Sequence, residues 1–211
     1  FQSALETHSI VGGLLNALED ARMEKLVGEE FPGAKINLEL LTKLVIEKGM
    51  WKASTPDRDG LDLLLDLVLF RSRVVCTGYR HLEQLSNLAL THTQGYFGEA
   101  LTEKLVNAID TICEAKNTQD SLYIATRLFD LLQQEIEEGE ESDSSDNDDS
   151  NKGGDESEED GGADSDEEGD SNGSELSERL KSVLESAENT DIQDFHKQFS
   201  ELISVDAASQ I

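Results

Sequence analysis

The residues best suited to chemistry come early, in Asn16-Ala17-Leu18-Glu19-Asp20-Ala21-Arg22-Met23-Glu24-Lys25, where four of the six positions from Glu19 to Glu24 are charged. Two readings are open. In one, Asp20 and Glu24 lie one turn apart on a solvated face, with Arg22 and Lys25 beside them. In the other, Glu19 points inward on the face shared by Gly12, Leu15, Asn16 and Met23, and a buried carboxylate must be paired or bind a metal. His8 is a weak co-ligand for Glu19, because eleven helical residues separate them by about 16 Å of rise. His81, His92 and His196 are scattered, and no nearby Cys/His spacing supports them. Asp62 and Asp66 suit either a hard cation or an ion pair with Arg73, and the ion pair is the better reading. Cys76 and Cys113 are not spaced as a metal or redox motif, so they read as reduced, buried thiols. The sequence has no GxxxxGK[ST] loop, no GxGxxG and no Ser-His-Asp context, so any ATP hydrolysis has to come from a partner.

The elements that must position these residues are helices. Ile10, Leu14, Leu18 and Ala21, with Val11, Leu15 and Leu26, give a helical stripe over 1–28, ended by Gly28 and the turn Pro32-Gly33. Asn37 is the expected N-cap of a second helix carrying Leu38, Leu41, Leu44 and Val45 and ended by Gly49. Thr55-Pro56-Asp57 opens a third, whose LDLLLDLVLF is apolar almost all round and therefore central. A fourth is expected over 80–93, ended by the turn Thr93-Gln94-Gly95, a fifth over 97–116 and a sixth over 119–137. No segment shows sustained period-two alternation. The expected fold is all-α, a bundle of about six helices over 1–136.

Charge divides the rest. The formal net charge of the 211 residues is -29, and residues 137–175 alone carry nineteen acids and one base. The block 137–174 has almost no apolar side chain, cannot offset its chain entropy by burial, and reads as a disordered acidic linker. The tail 175–211 reads as short helical segments. One is built on Leu176, Leu180, Val183 and Leu184. The other follows the Thr190/Gln193 capping box, with Ile192, Phe195, Phe199 and Leu202. These helices are too short for a core of their own, so they must dock on the bundle or on a continuation of the chain. So acidic a protein is a poor partner for nucleic acid or anionic lipid. Its longest apolar run, Leu61 to Phe70, is short of a membrane span and broken by two aspartates.

The string NALEDARMEK followed by Phe31-Pro32-Gly33-Ala34, and the later SLYIATRLFDLLQQ before an acidic stretch, resemble cobaltochelatase CobT-type proteins and their phage relatives. The resemblance covers most of residues 1–140. It implies an upstream HExxH helix and a downstream von Willebrand factor A domain. Neither lies in this sequence, which starts at Phe1 and is expected to be an internal fragment. In a gluzincin-like zinc site of that kind, Glu19 would be the third ligand, Asp20 a group supporting the ligands from behind, and Asn16 and Arg22 further polar supports. Zinc would then belong to the longer protein rather than to this piece alone.

Three functions follow as expectations. The first is a cytoplasmic adaptor subunit working with a MoxR-like AAA+ ATPase, as in cobalt insertion into a corrin ring during cobalamin biosynthesis. The second is a part of a gluzincin-like metallopeptidase relative. The third is a non-catalytic helical interaction module.

Overall fold

The computed structural model describes residues 9–145 and 171–189, with side chains over 9–140 and 173–188. Its elements are α1 (Ser9–Glu30), α2 (Pro32–Glu47), α3 (Gly60–Thr77), a 3-10 turn (Arg80–Leu82), α4 (Glu83–Phe97), α5 (Glu99–Asp110), a second 3-10 turn (Thr111–Glu114), α6 (Thr118–Ser145) and α7 (Ser171–Asn189). The fold is an all-α bundle, with no strand among the described residues. None of these helices is long and apolar enough to cross a membrane.

α3 is the axis. Leu63, Leu64, Leu67 and Val68 are shut off from solvent completely, and α1, α4, α5 and α7 all lie against it. Its apolar girth is what lets four neighbours share one helix. Its cap is Asp59, whose carboxylate accepts from the Asp62 N–H at 2.9 Å. Thr55-Pro56-Asp57 therefore precedes the helix rather than opening it.

Two expected turns are displaced. The break between α1 and α2 is the single residue Phe31, extended at φ -127° and ψ 90°. Pro32 sits at the first position of α2, where its missing N–H costs nothing, so α2 starts before the Asn37 cap expected for it. Likewise α4 runs through Thr93-Gln94-Gly95 to Phe97. There the buried Thr93 hydroxyl donates to the Leu63 carbonyl of α3 at 3.3 Å and Phe97 enters the core. The turn falls instead at Gly98, whose φ of 83° suits glycine.

The acidic stretch and the tail also differ in detail. α6 continues past residue 136 to Ser145, so the first glutamates of the acidic block are helical. α7 begins at Ser171 and docks on this chain's own bundle, with Leu180, Val183 and Ala187 in the common core. Its seat depends on two glycines. A Cβ on Gly60 would lie 2.5 Å from Tyr96 and Val183, and one on Gly139 would lie 2.8 Å from the Gly173 carbonyl and Ser177. Polar contacts fix the register. Ser177 donates to the Ile136 carbonyl at 3.2 Å, Arg179 to the Tyr96 carbonyl at 3.2 Å, and Lys181 meets Glu140 at 2.7 Å. The Ser9 hydroxyl, at the start of α1, donates to the Ala187 carbonyl. His8, His196 and the Thr190 capping box lie outside the described residues.

Because α7 is part of the common core, Leu180→Ala should destabilise the whole bundle by about 2–4 kcal/mol, in one transition. Urea unfolding followed at Trp51 is the check. An unchanged midpoint would mean that α7 is not docked.

Candidate functional site

The concavity among the described residues with the most apolar lining is a groove of about 390 Å³ between α1, α2 and α3, with Trp51 also in its wall. Its α1 wall is Asn16, Asp20, Met23, Glu24 and Val27, which recur at helical spacing on one face. α2 supplies Leu38, Leu41, Thr42 and Val45, and α3 supplies Leu69 and Arg73.

Arg73 forms the floor. It is only 3 % exposed. Its Nε donates to Glu24 Oε1 at 2.9 Å, its Nη2 to Asp20 Oδ2 at 3.3 Å and its Nη1 to the Leu69 carbonyl at 3.3 Å. The guanidinium lies 5.0 Å from the centre of the Trp51 ring, a cation–π contact. Trp51 in turn meets Phe70 edge-on at 5.9 Å. Burial pushes the Glu24 carboxyl above the usual range despite the pull of Arg73. Its second oxygen is buried without a hydrogen-bond partner, as is the Tyr79 hydroxyl. Burial raises the Tyr79 pKa to about 12. Beside them, His81 Nε2 and the Thr42 hydroxyl are 2.8 Å apart, tying the 3-10 turn before α4 to α2.

The charged string of α1 thus divides between two neighbours. Asp20 and Glu24 turn to α3, while Glu19 and Arg22 turn to α6. Glu19 does not open onto the groove, where the inward reading would place it. Its Oε2 takes Arg22 Nε at 2.8 Å and the Ser121 hydroxyl at 2.7 Å, and its Oε1 takes Arg22 Nη2 at 2.5 Å and the Thr118 hydroxyl at 2.8 Å. The Arg22 hydrogen bonds, with help from the two hydroxyls, outweigh burial and hold its pKa at about 2. To ligate zinc, Glu19 would have to release these partners. Among the described residues no three His, Cys, Asp or Glu side chains are grouped to hold a metal ion. Asn16 and Asp20 line the groove instead, and Arg22 is the partner of Glu19. The solvated-face reading also needs correction, since Glu19, Arg22 and Glu24 are all tied into interfaces and Lys25 donates to the Cys113 carbonyl at 2.6 Å.

Asp62 and Asp66 pair, but not with Arg73, which is spent on α1. Arg58, in the loop before α3, reaches Asp62 at 2.8 Å and Asp66 at 2.6 Å. Burial still pushes Asp66 up to about 6. Arg58 is reachable from the sequence, being four residues before Asp62, but a loop residue carries no periodicity to place it. Thr118 and Ser121 have no such signal, since their partner lies on α1.

No protein-family model, curated protein or solved structure matches this chain. Function has to be argued from the groove and its rim.

Glu19→Gln should cost about 1–2 kcal/mol at pH 7, a value reduced for the solvent that screens part of the pair. The folded-state pKa of Glu19 lies below its ordinary 4.5. Its contribution is therefore present above that value and lost as pH falls toward 2. Urea unfolding of both proteins should show the gap at pH 7 and its closure on acidification. A gap that is constant with pH would show that the charge of Glu19 is not what matters.

Proposed function

We propose that this chain is a non-catalytic, cytoplasmic helical adaptor whose groove takes one amphipathic, basic helix of a partner protein. The observation that carries this reading is the apolar lining of the groove, with exposed apolar side chains of α2 continuing beside it. That helix buries only Thr42 and Val45. Ile36 is 61 % exposed, Leu40 57 % and Phe31 56 %, and Leu41, Leu44, Met23 and Leu26 are exposed beside them. Of these, Leu41 and Met23 line the groove, with Leu38, Val45 and Leu69, and apolar side chains at helical spacing along a groove suit a helix presenting anchors at i, i+4 and i+7. A continuous exposed apolar patch is uncommon on a protein that works alone.

Charge selects the occupant. Asp20 and Glu24 line the groove, and the chain as a whole stands at -29. Two copies repel one another, whereas a basic helix is attracted and steered. The resemblance to CobT-type subunits supplies the class of assembly, a MoxR-like AAA+ ATPase complex of the kind that inserts cobalt into a corrin ring. In that setting the ATPase supplies the nucleotide chemistry and this domain supplies a docking face.

The test uses a synthetic Leu/Lys amphipathic helix of about 18 residues, five turns long. A Leu/Glu peptide of the same pattern is the control. Calorimetry should show binding of the first peptide only, with hydrogen-exchange protection along α2 and the groove wall of α1. Leu41→Glu combined with Met23→Glu should weaken it at least about tenfold, or roughly 1.4 kcal/mol. Equal binding by that variant would place the peptide on the acidic stretch and end the groove reading. A concentration-dependent dimer in which α2 is protected without peptide would make a second copy the occupant.

A further inference from the structure

Cys76 and Cys113 are 37 residues apart in sequence, yet their sulfurs lie 3.4 Å from each other. Cys76 is in the last turn of α3, and Cys113 is in the 3-10 turn Thr111–Glu114 that follows α5. Both side chains are half-buried and both are free thiols.

The contact is held from both sides. Lys25 of α1 donates to the Cys113 carbonyl at 2.6 Å. Ile112, next in the chain, is completely buried. Just before it, Asp110 receives a two-pronged grip from Arg71 of α3, at 2.7 and 2.5 Å. On the α3 side the Thr77 hydroxyl donates to the Arg73 carbonyl at 2.7 Å. The two sulfurs therefore stay neighbours without a covalent bond between them. Zinc would need a third and fourth ligand, and among the described residues no three His, Cys, Asp or Glu side chains are grouped for one. A close thiol pair with no further ligand is suited to oxidation rather than to metal binding.

We propose that Cys76 and Cys113 form a redox pair, which peroxide converts to an intramolecular disulfide tying the end of α3 to the turn after α5. Burial and the neighbouring sulfur push the Cys76 thiol up to about 12. Cys113 lies in a turn between the exposed Thr111 and Glu114 and is the sulfur that meets the oxidant. The Cys113 thiolate attacks the O–O bond of hydrogen peroxide. A sulfenic acid forms at Cys113, and the departing hydroxide takes up the thiol's proton as water. The Cys76 sulfur then attacks the sulfenic sulfur. The S–S bond forms, the S–O bond breaks, and hydroxide leaves with the Cys76 proton as a second water. Two thiols lose two electrons, and one peroxide becomes two waters. The new bond closes a chain segment that contains all of α4 and α5.

The experiment treats the whole chain with hydrogen peroxide and then alkylates it under denaturing conditions. The expected product is a monomer about 2 Da lighter that takes up no iodoacetamide. In it, a proteolytic map should join the Cys76 and Cys113 peptides. Closing a loop of this length should raise the melting temperature by roughly 10 °C, reversibly with dithiothreitol. Cys76→Ser, which is nearly isosteric, should leave Cys113 to accumulate sulfenic and sulfinic acid with no rise in melting temperature. Retention of two alkylatable thiols under conditions that oxidise Cys113 in Cys76→Ser would overturn the proposal. So would disulfides found only between chains, or a treated wild-type protein carrying sulfinic acid at both positions.

Discussion

A buried guanidinium must be neutralised where it lies, and Arg73 finds its counter-charges on α1. With the side chain 3 % exposed, leaving it unpaired would cost several kcal/mol. Glu24 and Asp20, one turn apart, meet that need from a neighbouring helix, and Trp51 covers the face that would otherwise take water. This arrangement fixes the rotation of α1 about its own axis relative to α3. Once that rotation is set, Leu14, Leu15 and Leu18 are directed into the core, and Glu19 and Arg22 are directed at α6. The two ion-pair clusters on α1 are therefore consistent with one helix orientation and with no other.

The same constraint explains the groove. α1 is committed to α3 and α6, and α2 packs mainly along α1. α2 follows the single residue Phe31 and returns along α1 without reaching the centre of the bundle. Its inner edge is satisfied by Val45 and by the Thr42–His81 contact, and its outer leucines are left uncovered by the described residues. The groove therefore has apolar walls beside the acidic side chains of Asp20 and Glu24 and the buried Arg73. The proposed adaptor role rests on that feature.

Helices are legible in the sequence because burial patterns repeat every three or four residues. The apolar girth of Leu61–Phe70 is enough by itself to mark the central helix. Boundaries are less legible where two local signals compete. Pro32 can end one helix or begin the next, and tertiary packing at Val45 and Thr42 decides for the second. Gly95 has the local chemistry of a turn, but the buried Thr93 and Phe97 on either side hold it in a helix. The charged string stands out by composition, yet its division between two neighbours is hidden. Glu19 has partners at Ser121 and Thr118, and Glu24 has its partner at Arg73. Pairings 49 to 102 residues apart leave no trace in local spacing. The same holds for the two cysteines, whose contact exists only through the path of α4 and α5.

A double-mutant cycle between Glu24 and Arg73 tests the account most directly, with methionine at each position to keep the volume. Arg73→Met alone should cost about 3 kcal/mol, because Glu24 is left buried and unpaired. The double variant should recover much of that loss, giving a coupling energy of about 2 kcal/mol at neutral pH. Additivity within about 0.5 kcal/mol would contradict the account, since it would mean that Glu24 and Arg73 are solvated independently and do not set the floor of the groove.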